Sequence, residues 1–174
     1  MKIQSESRIG FPLPVVYQAY RDRLPEIAAY MRDIQEIRVI VREERDGGPF
    51  LLNVWIAEDR LPGVAQKVVK SHMLQWEDHA DWNDARTHVD WRLVIPAFED
   101  QVRCSGRNAF FADGDDTRVA LTGELEIDIR HIPGVPRLLA ARLKPQVEPF
   151  VINLVQPNLE TVNASLERYL MEHG

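Results

Sequence analysis

The sequence predicts an α+β fold in which a curved antiparallel sheet of about seven strands grips one long, kinked C-terminal helix. Two observations predict it. Between residues 1 and 130, apolar and polar residues alternate in several short segments, as they do in half-buried strands. Between residues 147 and 170, apolar residues instead recur at three- and four-residue steps, which is typical of an amphipathic helix. No internal repeat or linker interrupts the 174 residues, so a single domain spanning 1–174 is expected.

The N-terminal segment predicts one strand followed by two short helices. Apolar residues occupy odd positions between residues 3 and 11, and two prolines then end the alternation. Helices are predicted over 15–23 and 25–31, with Pro25 well placed as a first helical residue. The apolar side of this helix pair comprises Tyr17, Tyr20, Leu24, Ile27 and Tyr30.

The middle of the chain predicts an antiparallel meander, because turn signals separate its alternating segments. Residues 37–41 and 50–57 form a hairpin around the turn sequence Asp46–Pro49. A strand over 68–77 follows, then a polar turn over 78–85. Further strands are predicted over 89–95, 102–112 and 117–130.

The C-terminal helix carries prolines within or beside its apolar pattern, at Pro145, Pro149 and Pro157. An interior proline removes a backbone hydrogen bond, so we expect a bend near Pro157. A large sheet curls, and its concave face must be covered. This helix is the only predicted element long enough to cover it.

Composition narrows the class of protein. Acidic residues (27) outnumber Lys and Arg (21), and the basic residues form no run, so nucleic-acid binding is not expected. The sequence contains no signal-peptide core and no uninterrupted apolar stretch of membrane-spanning length, so a cytoplasmic protein without a transmembrane segment is expected. Cys104 is the single cysteine, which excludes a disulfide framework and a thiolate metal cluster. No cofactor is predicted.

The order of these elements resembles the START-like, or SRPBCC, superfamily with the helix-grip fold. The segments that carry the resemblance are Val16–Pro25, Gly106–Phe111 with the following Gly114 and Thr117–Val119, and Pro157–Leu170. The superfamily includes polyketide cyclase/dehydrase and lipid-transport proteins. The resemblance implies a cavity between the terminal helix and the sheet, and it implies no particular catalytic residue.

Candidate ligand-binding residues follow from the strand phases and from that implied cavity. Polar residues that share a strand face with apolar neighbours are candidates to orient a ligand, and the alternatives are a bond to backbone or a place on the wet face. Large apolar side chains are candidates to line the space, with plain core packing as the alternative. Glycines within strands indicate a close approach by a ligand or a bulge. The candidates are Asn53, Trp55, His72, Trp76, Trp91, Gly106, Asn108, Phe110, Gly123, Phe150 and Leu154.

Catalytic and metal-binding motifs are not evident. The carboxylate-rich stretch Trp76–Asp84 lacks the ligand spacing of zinc or calcium sites, so a solvated loop is predicted there and no metal site. No serine lies in a GxSxG motif. His72 and Glu99 are the candidates for acid–base chemistry, should burial shift their pKa values towards neutrality.

Three functions are compatible with this sequence. The first is a carrier or sensor of a hydrophobic small molecule such as a lipid, an isoprenoid or a polyketide, held in the cavity by apolar burial. The second is an enzyme of cyclase, aromatase or hydrolase type that uses His72, Asn53 or Glu99 in the same space. In the third, the space is packed shut and the protein acts through an interface, for example as a homodimer.

Overall fold

The computed structural model describes residues 1–58, 74–96, 99–128 and 161–174. A curved, seven-stranded antiparallel sheet forms most of this part of the chain, in the order β1-β7-β6-β5-β4-β3-β2. The elements are β1 (Lys2–Ile9), α1 (Leu13–Asp22), α2 (Leu24–Ile27), a 3-10 turn (Ala28–Tyr30), β2 (Ile34–Arg45), β3 (Gly48–Ala57), β4 (Gln75–Asn83), β5 (His88–Val94), β6 (Val102–Asp113), β7 (Asp116–Ile127) and a helix over 161–173, here called α3. This architecture confirms the predicted α+β class with its curved sheet, its short helices after β1 and its C-terminal helix.

The sheet is a meander of β2 to β7, and the first strand, β1, forms the edge next to β7. Strands β2 to β7 each pair with the next strand along the chain, and β1 pairs antiparallel with β7. Because successive side chains in a strand point to opposite faces, the register aligns one inner face across β3 to β7. Along β3 and β4 the buried positions alternate strictly through Trp82.

Both short helices carry a proline in their first turn, as the sequence predicts for the second of them. Pro12 precedes α1, Pro14 lies in its first turn, and α2 begins at Leu24 with Pro25 in its first turn. Proline is tolerated there because the first N–H groups of a helix have no intrahelical partner. The buried side of this pair faces the sheet with Val16, Tyr17, Ala19, Tyr20, Leu24 and Ile27.

Helix α3 packs through residues four apart, because i and i+4 lie on the same face of a helix. Val162, Leu166 and Leu170 are buried, as predicted. Asn163, which the sequence pattern assigns to the polar side, is also buried, and its Nδ2 donates to Ser7 Oγ at 2.6 Å. The predicted bend and Pro145, Pro149 and Pro157 lie outside the described residues.

The predicted polar turn over 78–85 is wrong. Residues 78–83 continue strand β4, and the turn comprises residues 84–87. Asp78, Ala80 and Trp82 all point to the buried face, while the intervening positions are more exposed. The abundance of Asp and Asn in this stretch is typical of turns, but the two-residue period of burial identifies a strand.

Among the described residues, no helix is long and apolar enough to cross a membrane.

Candidate functional site

A small cavity lies between the inner face of the sheet, the α1–α2 pair and the start of α3. Its volume of about 40 Å³ is room for about three water molecules. The described residues that line it are Tyr20, Arg21, Leu24, Leu51, Asn53, Trp55, Trp76, Asp78, Ala80, Trp82, Val89, Trp91, Leu93, Asn108 and Val162. The cavity is thus far smaller than a lipid chain, and four tryptophans line it.

One carboxylate is buried in this aromatic setting. Asp78 lies opposite Asn53 in the β3–β4 register, and Asn53 Nδ2 donates to Asp78 Oδ2 at 3.1 Å. Burial raises the pKa of Asp78 from 3.8 to about 6, although the Asn53 hydrogen bond and the nearby Trp55 indole favour the charged form. Asp78 can therefore change its protonation state near neutral pH.

Several polar atoms around the cavity have no hydrogen-bond partner among the described residues. They are Asn53 Oδ1, Asp78 Oδ1, Trp55 Nε1 and Trp82 Nε1. The Trp55 indole lies close enough to Asp78 to influence its charge without reaching hydrogen-bond geometry. A buried polar atom without a partner destabilises a fold by about 1–3 kcal/mol, so two acceptors and two donors at one cavity indicate a place where a polar group binds.

A second group of hydrogen-bonded side chains lines the cavity and connects the sheet to α1. Trp91 Nε1 donates to Asn108 Oδ1 at 3.0 Å, and Asn108 Nδ2 donates to Tyr20 Oη at 2.9 Å. Burial, together with the charge of Asp78, raises the pKa of Tyr20 well above its ordinary value. The Tyr20 side chain therefore remains a neutral phenol throughout the physiological range of pH.

Arg21 forms one border of the cavity and is held by ion pairs. Its Nη1 donates to both Asp84 oxygens, at 2.9 and 3.0 Å, and its Nη2 donates to Asp22 Oδ2 at 2.9 Å. Tyr17 Oη also donates to Asp84 Oδ1, at 3.0 Å. These contacts tie α1 to the turn after β4, and they neutralise the guanidinium beside the cavity.

The two predicted strand glycines lie under the ring of Trp91. Gly106 and Gly123 face each other across β6 and β7, and Trp91 pairs with Gly106 across β5 and β6. A Cβ atom on Gly123 would lie 2.9 Å from the Trp91 ring, and one on Gly106 would collide with the same ring. The close approach that glycine permits is made here by a side chain of the protein, and the β6–β7 register continues without a bulge.

The structure brings five of the predicted site residues together. Asn53, Trp55, Trp76, Trp91 and Asn108 all line the cavity. Phe110 is buried and packs against Tyr17, Tyr20 and Trp82 without lining it.

The remaining candidates do not line this cavity or lie outside the described part of the chain. Gly106 and Gly123 contribute the surface on which Trp91 rests. Glu99 is exposed and belongs to a separate surface depression with Arg92 and Cys104. His72, Phe150 and Leu154 lie outside the described residues.

The sequence does not predict the buried carboxyl group of Asp78 at this cavity. The sequence pattern assigns Asp78 and Trp82 to a polar turn, and Tyr20 only to the apolar side of a helix. The alternation of Trp76, Ala80 and Trp82 at even positions is the signal that could have placed Asp78 on the inner face. Among the residues that the structure describes, no three His, Cys, Asp or Glu side chains are grouped as metal ligands.

Several solved structures share this architecture. TTHA0849 from Thermus thermophilus matches with a TM-score of 0.70 and 22% identity, over 100% of this chain and 99% of that one. The ZhuI aromatase/cyclase from Streptomyces sp. R1128 matches at 0.66 and 16% identity, over 98% and 95%. A START superfamily protein from Mycobacterium smegmatis matches at 0.51 and 12% identity, over 92% and 98%. No family model matches the sequence, and no curated protein is significantly similar to it.

Proposed function

We propose that this chain, whose fold is the START-like helix-grip fold that its sequence resembles, binds a largely apolar small molecule and anchors the polar end of that molecule among the unpartnered polar atoms of the cavity around Asp78 and Asn53. The observation that carries the proposal is the set of unpartnered buried atoms on those two residues and on two tryptophans. Apolar burial supplies affinity in such a site, and a few convergent polar groups fix orientation.

The neighbours in fold support a ligand-binding class. One of them is an aromatase/cyclase and another is a START superfamily protein. Their low identity to this chain transfers neither substrate nor residues, so the choice of ligand rests on the cavity itself. Its tryptophans and its buried carboxyl group favour an aromatic compound with one polar substituent.

The volume of the cavity limits how the ligand binds. About 40 Å³ accommodates the polar end of a ligand and not a whole lipid or polyketide. A larger ligand requires the lining side chains to move, and the stacked pair Trp55 and Trp76, with ring centroids 5.8 Å apart, borders the space. The polar end of the ligand would therefore bind in this cavity, and the apolar remainder would displace some of the aromatic side chains that line it.

Thermal shift against a compound panel tests the proposal, because a ligand that binds only the folded state raises the melting temperature. The panel contains simple aromatic ketones, phenols, isoprenoids and fatty acids. We expect stabilisation by small aromatic compounds that carry a polar group, and a smaller shift in Asp78→Leu. The matched control is Asp90→Leu, which alters a carboxylate on the outer face of the adjacent strand.

No stabilisation by any member of the panel would contradict the proposal. A self-associating protein that binds none of them would instead favour function through an interface between copies.

A second candidate function is proton transfer by Asp78. A carboxyl group with a pKa of about 6 is close to the value at which a general base is most effective near neutral pH. In such a step the carboxylate takes a proton from the carbon next to a ligand carbonyl. The carboxyl group exchanges its proton with solvent and then protonates the same carbon of the enolate, so charge and electrons balance and deuterated water leaves deuterium at that carbon.

Exchange of hydrogen for deuterium at that carbon measures the step directly. A bound aromatic ketone in deuterated water would exchange faster with wild-type protein than without it, and the rate would rise as pH increases through about 6. Asp78→Asn should abolish the acceleration while the ketone still binds. Equal exchange rates with and without wild-type protein would leave ligand binding as the function.

A further inference from the structure

The orientation of the Asn108 side-chain amide is fixed by Trp91. An indole N–H can donate a hydrogen bond but cannot accept one. Since Trp91 Nε1 lies 3.0 Å from Asn108 Oδ1, the amide oxygen must face the tryptophan and the amide nitrogen must face the opposite way. The direction of every hydrogen bond in this buried chain is therefore determined.

Asn108 Nδ2 consequently donates to Tyr20 Oη, 2.9 Å away, and the Tyr20 oxygen is the acceptor. The tyrosine hydroxyl still carries its own proton. Within the described residues, no group accepts a hydrogen bond from it. Tyr20 lines the cavity, as do Asp78 and Asn53, so the free proton lies at the same site as their unpartnered oxygens.

Burial keeps that proton in place. Both the loss of solvent around Tyr20 and the negative charge of Asp78 oppose formation of a phenolate. The Tyr20 hydroxyl is thus a neutral hydrogen-bond donor, and its oxygen is occupied by the hydrogen bond from Asn108. Two further donors, Trp55 Nε1 and Trp82 Nε1, also lack partners around the cavity.

We propose that Tyr20 donates its hydroxyl proton to a carbonyl oxygen of the ligand, which makes Tyr20 a specificity-determining residue and the ligand an aromatic carbonyl compound. This inference rests on the proposed ligand-binding function. A carbonyl oxygen has two lone pairs and no proton, so it fits a site with several free donors. A ligand hydroxyl, by contrast, would use its proton at the Asp78 and Asn53 oxygens.

A pair of probes of equal shape isolates the hydrogen bond. Acetophenone carries a carbonyl group where α-methylstyrene carries a C=CH₂ group, and because the two molecules have nearly the same shape they require the same movement of the lining rings. Titration calorimetry should show that wild-type protein binds acetophenone roughly five- to tenfold more tightly, the ratio expected of one neutral hydrogen bond. Infrared difference spectra should show the carbonyl stretch of bound acetophenone shifted to lower frequency.

Three variants identify the donor. Tyr20→Phe removes only the hydroxyl group, so it should bind both probes equally and abolish the infrared shift. Asn108→Asp retains the hydroxyl but replaces the amide donor by a carboxylate that accepts the Tyr20 proton, so it should also lose the preference. Tyr17→Phe is the matched control, because that neighbouring hydroxyl is bonded to Asp84 and its removal should leave both readouts unchanged.

Each other outcome overturns a defined part of the proposal. Equal binding of the two probes to wild-type protein, with no infrared shift, overturns the role of Tyr20 and leaves apolar ligand binding intact. A preference that persists in Tyr20→Phe assigns the carbonyl to another donor and likewise overturns it. Should wild-type protein bind neither probe nor any compound of the thermal-shift panel, the proposed function falls as well. The Tyr20→Phe result decides the question even if Asn108→Asp does not fold.

Discussion

Asn53 and Asp78 share one hydrogen bond across β3 and β4, Nδ2 to Oδ2 at 3.1 Å, while Asn53 Oδ1 and Asp78 Oδ1 have no partner among the described residues. A carboxylate in apolar surroundings normally requires several donors to offset the loss of water. Among the described residues, Asn53 supplies one such hydrogen bond, and the Trp55 indole lies nearby without reaching hydrogen-bond geometry. The arrangement is unfavourable for stability, and such local conflicts concentrate at functional sites.

The pH dependence of stability should report Asp78 directly. Because burial raises the pKa of this group from 3.8 in its ordinary state to about 6 when folded, the folded protein holds the proton more tightly than the unfolded chain. Its contribution to the free energy of unfolding is therefore fully present below about pH 4 and is lost as pH rises through about 6. The loss amounts to about 3 kcal/mol.

Urea denaturation of wild type and Asp78→Asn between pH 4 and pH 7 measures this contribution. We expect the variant to be the more stable protein at pH 7 and to lose that advantage towards pH 4. Asp90→Asn is the control, since the Arg107 hydrogen bonds lower the pKa of that exposed carboxyl and give it the opposite sign. A variant that is less stable than wild type at pH 7 would contradict the account.

Substitution of Gly123 by alanine should destabilise the fold by about 1–3 kcal/mol, because the new methyl group overpacks the Trp91 ring at 2.9 Å and Ser105 O at 3.0 Å. Thermal or urea unfolding measures the change. Gly10→Ala is the control, since its Cβ would meet only Glu167 Oε1, at 3.4 Å.

A double-mutant cycle locates the cause of that destabilisation. Trp91→Phe removes the six-membered part of the indole that meets the new methyl group, so Gly123→Ala should be better tolerated in that background. Purely additive effects of the two substitutions would place the strain at the backbone of β6 instead.

Asn108→Leu should destabilise the protein by about 2–4 kcal/mol. The change removes two hydrogen bonds and leaves Trp91 Nε1 as a buried donor without an acceptor. Urea denaturation followed by far-UV circular dichroism measures the difference. The same substitution at Asn83, an incompletely buried residue at the end of β4, should have the smaller effect.

The Arg107–Asp90 ion pair should contribute less than about 1 kcal/mol although its distances are 2.6 and 2.7 Å. Both side chains are about half exposed (50% and 49%), so water and salt screen the attraction. Arg107→Gln should shift the midpoint of urea denaturation only slightly, and less again in concentrated salt. A large effect that persists in high salt would show that the pair acts through packing.

The sequence alone predicts most of the fold because strands such as β3 and β7 follow simple alternation along their inner positions. Leu51, Trp55, Leu121 and Leu125 lie on the inner face with the expected two-residue period. Strand β4 escapes that prediction because Asp78 occupies an inner position where alternation calls for an apolar residue. The residue that breaks the pattern is the one that the proposed site requires.

The site itself is only partly predictable. Asn53 and Asn108 can be identified because each shares a strand face with apolar residues, where a side-chain amide needs hydrogen-bond partners. The identity of those partners depends on the register between strands that are distant in sequence, and α1 supplies Tyr20 from 88 residues before Asn108. Neither the Trp91 contact with two glycines nor the direction of the Asn108 amide has a local sequence signal.

All four tryptophans of this chain surround a single cavity of about 40 Å³. Indole emission depends on the polarity around the ring and on nearby quenching groups. A ligand in that space should therefore change both the emission maximum and the intensity of the protein's ultraviolet fluorescence. No tryptophan elsewhere contributes a constant background. The intrinsic tryptophan fluorescence should therefore report ligand binding without an added dye.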